Sequence, residues 1–374
     1  MKLPYTISLT ILIILFNYNC YAQYTYQLEI DLPEGFNGSK SIFVVYKNDA
    51  RKIKYKDSII VVANKVHYTG SINQESNFAS IIIRNGKIPY NLRFVIDTGK
   101  NKFVVKRSAE NFVIIDSQKT LSNIISDELD SVYTHYFDLY RTEKKIKGSF
   151  GLPLELQNKV LISQLNLLKN YPNSYFSLVA LSEVSGYRND INYLKSVLDV
   201  YQTFITNIKS TSFGKEFFNA ITKKIENQQE AKAGNAVKIF TVKDVYGKPF
   251  TNQLLLGQNY VIVFSATWCL PCQKQLPMLK KIYNIYKSKG LKVVYFNQDD
   301  NVLLWKKHII ENRLSWINVS ERLKARDSKI ANTFFVTAIP TCFVVNKFGH
   351  IVYNSEQNDY ELKQLKTTIA KMFN

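Results

Sequence analysis

The stretch that decides the fold of the C-terminal region is an apolar run that passes directly into a pair of cysteines. It reads Tyr260-Val261-Ile262-Val263-Phe264-Ser265-Ala266-Thr267-Trp268-Cys269-Leu270-Pro271-Cys272. The first six residues predict a strand buried on both faces, because such a strand carries apolar side chains without alternation. Apolar residues then recur at helical spacing, at Leu276, Leu279 and Ile282. We therefore expect Cys269 and Cys272 to lie at the start of a helix that follows a central strand.

The start of a helix gives these two cysteines a definite chemistry. Unpaired backbone N–H groups and the helix dipole stabilise a thiolate there, and the thiolate is the species that attacks a disulfide. The two intervening residues let the sulfurs meet within the first turn, so a mixed disulfide formed by one can be resolved by the other. We predict that the outer Cys269 is the accessible, attacking thiol and that Cys272 is the shielded, resolving thiol.

Two other kinds of thiol site share part of this pattern. A Cys-x-x-Cys pair is also half of a tetrahedral zinc site, but zinc needs further ligands. Cys342 stands alone, and the histidines show no ligand spacing to each other: His67, His135, His308 and His350. The reactive cysteine of peroxiredoxins needs a Thr or Ser three residues before it and a Pro seven before it, where this chain has Ala266 and Ile262. The residues therefore favour dithiol–disulfide exchange without a metal or a bound cofactor, and a thiol peroxidase is a less favoured alternative.

The motif Trp268-Cys269-Leu270-Pro271-Cys272, with Pro277 five residues on, resembles the active-site helix of thioredoxins. Its surroundings resemble the envelope branch of that superfamily, the TlpA/ResA-like thiol:disulfide oxidoreductases. The resemblance covers about residues 234–372. It rests on residues 234–240, on Trp305, Leu314 and Trp316, on the loop Val336-Thr337-Ala338-Ile339-Pro340-Thr341 and on residues 343–352.

This resemblance implies a thioredoxin fold with a substrate loop at Ile339 and Pro340. In the family the bond before this proline is cis, so Ile339 would present its N–H and C=O groups beside the sulfurs to a partner's extended chain. Trp268 would form a flat apolar wall that limits access to Cys269. The implied partners are protein thiols or disulfides, with an apocytochrome or a membrane redox donor as candidates.

The chain departs from the family at two carboxylates. Many members have Glu three residues after the second cysteine, where this chain has Gln275, and ordinary thioredoxins have a buried Asp where this chain has Val263. Proton transfer from Cys272 would then depend on water or another group. These absences favour the alternative of a non-catalytic peptide-binding module, whereas the intact cysteine motif favours catalysis. Cys342, on a central strand, is expected to be a small buried apolar residue.

The residues upstream predict two further parts. Alternating apolar residues and turn signals over residues 23–116 predict an antiparallel β-sandwich. Residues 56–58 followed by residues 66–70 resemble the small β-domain that often precedes envelope thioredoxin domains. Apolar residues at helical spacing over residues 117–232 predict a helical connector, and the polar residues 226–234 predict a linker. The thioredoxin-like domain then covers residues 233–374.

Residues 1–22 have the pattern of a cleavable signal peptide. Lys2 precedes an apolar run at residues 7–16, and small residues stand before the expected cleavage after residue 22. Lipid attachment at Cys20 is less favoured, because residues 17–19 lack the aliphatic and small side chains that this modification requires. We expect a protein of the periplasm or cell envelope, with no transmembrane anchor after cleavage, since no second apolar run reaches about 18 residues.

Composition excludes little but is consistent with this organisation. The 374 residues are 46% hydrophobic, which is enough for two or three packed domains. The net charge of +19 comes from 49 Lys and Arg against 30 Asp and Glu, spread along the chain. No recognition motif accompanies this charge, so we interpret it as a solvated surface and do not expect nucleic-acid binding.

Overall fold

The computed structural model describes residues 24–46, 53–72, 74–85, 89–108, 111–115, 119–144, 151–357, 359 and 361–373. These residues form two compact units. One holds those up to Tyr187 together with Val200–Thr211, and the other holds Arg188–Asp199 with those from Ser212 onward. The predicted signal peptide lies outside the described residues, as does Cys20.

The first unit contains an eight-stranded sheet. Its strands are β1 (Tyr24–Asp31), β2 (Lys40–Tyr46), β3 (Ile53–Ile60), β4 (Lys65–Ile72), β5 (Ser76–Arg84), β6 (Pro89–Asp97), β7 (Gly99–Ser108) and β8 (Asn111–Ile114). Their order is β3-β2-β5-β6-β8-β7-β1-β4, and most neighbours are antiparallel. The β1–β7 and β6–β8 pairs are parallel. The predicted antiparallel β-rich domain is therefore confirmed, with two parallel pairings that the sequence pattern does not indicate.

The sheet folds over so that its two ends share one core. Tyr26 on β1 and Phe43 on β2 are far apart in the strand order, yet their ring centroids are 6.4 Å apart. Phe43 also lies 5.0 Å from Tyr68 on β4. Successive side chains of a strand point to opposite faces, so every second residue, as at these aromatic positions, faces the same core. Alternation fixes which side chains face inward, but it leaves strand pairing open.

Among the described residues six helices follow, as the helical periodicity predicts. They are α1 (Leu121–Lys144), α2 (Leu154–Leu168), α3 (Tyr175–Ser185), α4 (Ile191–Thr203), α5 (Thr206–Ser210) and α6 (Ser212–Glu230). Helix α6 belongs to the second unit and includes most of the predicted linker. Asn227 is buried there, donates a hydrogen bond to the carbonyl of Asn332 and accepts one from Nζ of Lys238. The linker prediction was wrong for residues 226–230, because this segment is helical and makes specific hydrogen bonds within the unit.

The second unit contains a seven-stranded mixed sheet with helices on both faces. Its strands are β9 (Thr241–Asp244), β10 (Pro249–Thr251), β11 (Tyr260–Ser265), β12 (Lys292–Asn297), β13 (Ile317–Ser320), β14 (Thr341–Val345) and β15 (Ile351–Asn354). Its further helices are α7 (Leu270–Tyr286), α8 (Val302–Glu311), α9 (Lys329–Thr333) and α10 (Leu365–Lys371). The strand order is β10-β9-β13-β12-β11-β14-β15, with β11, β12 and β13 parallel.

Strand β11 lies inside this sheet between β12 and β14, and all six of its residues are buried. Val261 and Val263 pack on one side with apolar residues of α7 and α10. Ile262 and Phe264 pack on the other side, in a core that includes Phe334 beyond α9. The continuous apolar sequence of β11 thus reflects burial on both faces, which is typical of parallel sheets.

Within the described part of the chain, no helix combines the length and the apolar character needed to cross a membrane.

Candidate redox site

The two cysteines lie where β11 ends and α7 begins. Cys269 is the N-cap residue of α7, and the backbone N–H of Cys272 donates a hydrogen bond to its Sγ across 3.2 Å. Pro271 stands in the first turn, where its missing N–H removes no helical hydrogen bond. The local sequence therefore places a sulfur at the positive end of the helix dipole.

Cys269 and Cys272 are joined by a disulfide, with S–S 2.03 Å. Both residues are buried in this oxidised form, with exposed fractions of 4% and 2%. Exposure therefore does not distinguish them here, because both cysteines belong to one buried cluster with Ala266, against which Ile339 packs. That Cys269 is the more accessible thiol of the reduced protein stays a prediction.

The substrate loop predicted from the family resemblance lies directly beside the disulfide. The Ile339–Pro340 peptide bond is cis. The carbonyl oxygen of Ile339 lies 3.5 Å from Sγ of Cys269, and the Ile339 side chain packs against the cluster that Ala266 forms with the two cysteines. The structure therefore brings Cys269, Cys272 and Ile339 together. Trp268 is next to this group in sequence and is 62% exposed, so its indole is available at the surface of the unit.

The two departures from the family pattern have different surroundings. Val263 is buried in the apolar core beside Leu276 and Leu279 of α7. Gln275 lies one turn after Cys272, and its side-chain oxygen Oε1 is buried without a hydrogen-bond partner among the described residues. An acceptor in this position is shielded from water, so a carboxylate there would be ionised only with difficulty.

One buried carboxylate near the cysteines was missed by the sequence reasoning. Asp299 accepts hydrogen bonds from the backbone N–H and from Oγ1 of Thr267, both at 3.0 Å, and from Nδ2 of Asn297 at 2.6 Å. Thr267 lies two residues before Cys269, so Asp299 fixes the segment that leads into the redox motif. A signal was present, because Asp299 follows the buried strand β12, whose carboxyl end lies beside that of the parallel strand β11.

Tyr295, Cys342 and His308 are further titratable groups of this unit whose pKa values burial shifts. The hydroxyls of Ser265 and Tyr295 are 2.6 Å apart, and burial raises the pKa of Tyr295 to about 12. Burial also raises the pKa of the Cys342 thiol, which is a fully buried free cysteine on β14. Burial lowers the pKa of His308. Cys342 thus has the surroundings of an apolar core residue, as expected.

Across the residues that the structure describes, no three His, Cys, Asp or Glu side chains converge to hold a metal ion.

The sequence of the second unit matches known proteins. Residues 257–351 match the Thioredoxin-like family model. A ResA thiol-disulfide oxidoreductase from a strain of Bacillus cereus is 27% identical over 126 residues, which are 34% of this chain and 70% of the relative. The thiol-disulfide oxidoreductase ResA of Bacillus subtilis (strain 168) is 26% identical over 152 residues, which are 40% of this chain and 80% of the relative.

Solved structures are also similar to this unit. The thioredoxin domain of a thiol-disulfide oxidoreductase from Bacteroides vulgatus has 26% sequence identity and a TM-score of 0.34, and the match covers 38% of this chain and 99% of that one. A putative thiol:disulfide interchange protein DsbE from Chlorobium tepidum has 19% identity, a TM-score of 0.34 and the same two coverages.

The C-terminal unit contains a thioredoxin-like domain of the thiol-disulfide oxidoreductase class. Its relatives include ResA proteins, in agreement with the resemblance that the cysteine motif and the proline loop indicate.

Proposed function

We propose that this chain is an exported protein-disulfide oxidoreductase that exchanges the Cys269–Cys272 disulfide with partner proteins. The observation that carries the proposal is the redox pair at the start of α7 with the Ile339 carbonyl 3.5 Å from Sγ of Cys269. An attacking sulfur and a backbone edge for an extended polypeptide are thereby in one place. The export part of the proposal rests on the signal-peptide pattern of residues 1–22.

In the reducing direction, the thiolate of Cys269 attacks one sulfur of a partner disulfide. A mixed disulfide forms and the partner's other sulfur leaves as a thiolate, which takes up a proton. Cys272 then loses its proton and attacks Sγ of Cys269, which releases the partner's second thiolate. The partner gains two electrons and two protons, and the Cys269–Cys272 disulfide is formed. A dithiol donor reverses the same steps and reduces the protein again.

The residues around the cysteines have separate parts in this scheme. The N–H of Cys272 stabilises the thiolate of Cys269, and the helix dipole adds to that effect. Ile339 and Pro340 form the binding edge for the partner's chain, with Trp268 as an exposed apolar neighbour. We propose protein thiols or disulfides as substrates, with an apocytochrome or a membrane redox donor as specific candidates.

A reduction assay tests this function. The wild type should accelerate the reduction of insulin by dithiothreitol, and Cys269→Ser should lower the rate to that of dithiothreitol alone. Cys272→Ala should accumulate a mixed disulfide, which mass spectrometry of the trapped complex identifies together with the partner. Equilibration with glutathione buffers then gives the direction of exchange in the cell envelope.

The rival function is a non-catalytic module that only binds peptides. It is favoured by the apolar Val263 and the neutral Gln275, where thioredoxin-like enzymes carry carboxylates. Under this alternative the wild type would bind an unfolded polypeptide without accelerating its reduction, and Cys269→Ser would bind it equally well.

A further inference from the structure

The loop that carries Ile339 is held by one carboxylate from a distant part of the second unit. Glu356 accepts hydrogen bonds from the backbone N–H of Thr337 at 2.9 Å and from its hydroxyl at 2.6 Å. The N–H of Ala338 lies 3.4 Å from the same carboxylate. The hydroxyl of Thr341 lies 2.9 Å from Glu356 and 2.7 Å from the carbonyl of Ala338. Its single proton is therefore shared between these two acceptors.

These contacts lie on both sides of the Ile339–Pro340 bond. Ala338 directly precedes it and Thr341 directly follows it. One carboxylate thus joins the two ends of the segment that places the Ile339 carbonyl beside Cys269. Hydrogen bonds to an ionised acceptor are stronger than those between neutral groups, so this arrangement limits movement of the loop.

Glu356 is itself anchored to the sheet. Its backbone N–H donates to Oδ1 of Asn354, the last residue of β15. The preceding Ser355 makes two hydrogen bonds with the backbone of Cys342 on β14, one through its N–H and one through its hydroxyl. The Glu356 carboxylate therefore holds the loop at a fixed position relative to the β14–β15 pair.

We propose that Glu356 is a positioning residue that presents the Ile339 backbone to disulfides carried on extended polypeptides. This inference rests on the proposed function and adds a preference between substrate classes. A polypeptide pairs with the N–H and C=O groups of Ile339 and depends on the loop, whereas a small disulfide needs only to reach Sγ of Cys269. Loss of Glu356 therefore slows the reduction of polypeptide disulfides more than the reduction of small disulfides.

The test compares two substrates with the full chain. The reduced protein, whose Cys269–Cys272 dithiol supplies two electrons once, is mixed with an excess of insulin or 5,5′-dithiobis(2-nitrobenzoate). The concentration dependence of this single turnover gives the half-saturating concentration (KM) and the limiting rate (kcat) for each substrate. Glu356→Ala should raise KM for insulin by about tenfold, the equivalent of one 1.4 kcal/mol contact, and change kcat by less than about twofold. The fold-loss of kcat/KM for the small disulfide should be at least about fivefold smaller than the fold-loss of kcat/KM for insulin.

Two further variants keep the inference falsifiable if Glu356→Ala folds poorly. Thr337→Val removes only the hydroxyl that lies 2.6 Å from Glu356, on an exposed side chain, and should raise KM for insulin by about threefold. Glu361→Gln changes an exposed carboxylate that is paired with Lys363 and should leave both reactions as in the wild type.

Equal losses for both substrates would show a general structural role and overturn the inference, as would an unchanged KM for insulin. A wild type that reacts with neither substrate would instead overturn the proposed function on which the inference rests.

Discussion

The backbone N–H of Cys272 points at Sγ of Cys269 across 3.2 Å, so the helix itself provides a group that would stabilise a thiolate at Cys269. The relationship is asymmetric, because Cys269 is the N-cap residue and Cys272 lies inside the first turn. A negative charge on Cys269 gains from this N–H and from the helix dipole.

The first prediction follows from this asymmetry. Iodoacetamide should modify Cys269 of the reduced, folded protein before Cys272, because the thiolate is the reactive species. Cys342 should stay unmodified until the protein is unfolded, since burial raises the pKa of its thiol and excludes the reagent. Peptide mapping by mass spectrometry measures the order, and earlier labelling of Cys272 would reverse the assigned roles.

The sequence could predict the redox pair and its strand because both signals are local. An apolar run of six residues identifies β11, and a spacing of three identifies the first turn of α7. Asp299 lies 32 residues after the Thr267 that it holds, and Glu356 lies 19 residues after Thr337. Such polar contacts depend on how the strands are arranged in the sheet. The position of Asp299 after β12 is therefore informative only once the pairing of β11 with β12 is known, and no local pattern indicates Glu356. The polar residues 226–230 show the same limit, since their partners are set by tertiary packing.

The second prediction concerns Asp299. Asp299→Ala leaves the N–H of Thr267 and the amide of Asn297 without their acceptor in a buried site. The free energy of unfolding should fall by about 2–3 kcal/mol, and insulin reduction should slow because Thr267 leads directly into the cysteine motif. Asp299→Asn keeps one acceptor oxygen and should cost about 1 kcal/mol. Urea unfolding measures both values.

A matched control for this prediction is the neighbouring Asp300→Asn. Its side chain is 54% exposed and lies 3.9 Å from Nζ of Lys324. Exposed pairs of this kind contribute about 0–1 kcal/mol, so stability and activity should stay close to the wild type. Equal effects of the two substitutions would show that Asp299 has no special part in holding Thr267.

The third prediction is a pH dependence of stability that originates at His308. Burial lowers the pKa of this imidazole below its ordinary value of 6.5, and Lys280 acts in the same direction, whereas Asp299 and Glu311 oppose the shift. Well above pH 6.5 the imidazole is neutral in both the folded and the unfolded chain and has no effect on stability. Below it, the unfolded chain binds a proton that the folded protein does not, so stability falls as the pH falls from 6.5 towards the folded pKa.

His308→Gln should remove this part of the pH dependence. The urea midpoints of wild type and variant are measured from neutral pH to about pH 5.5. This pH interval lies above the range in which most carboxylates titrate. The wild type should lose stability relative to the variant over this interval. Parallel plots of urea midpoint against pH would mean that the protonated His308 side chain reaches water in the folded protein without loss of stability.

The fourth prediction concerns the proton of Cys272. Gln275 lies one turn from Cys272, and its buried Oε1 has no hydrogen-bond partner among the described residues. A neutral amide has no basic site near neutral pH, so it cannot accept the proton that Cys272 must lose before it resolves the mixed disulfide. In Gln275→Glu, burial should raise the carboxyl pKa towards neutrality, which suits a general base. Attack by Cys269 should change little, because its thiolate is stabilised by the helix start.

Stopped-flow measurement of the two steps separates these effects. Release of the mixed disulfide should become faster in Gln275→Glu by about tenfold or more, somewhat below the usual gain from general base catalysis, and should depend more strongly on pH. Gln273→Glu is the charge control, because it places a carboxylate one residue after Cys272. It also removes the hydrogen bonds that the Gln273 amide donates to the carbonyls of Ala266 and Thr267. An acceleration in both variants would reflect added negative charge near the helix start. An unchanged second step in Gln275→Glu across the pH range would show that water or another group already takes the proton of Cys272.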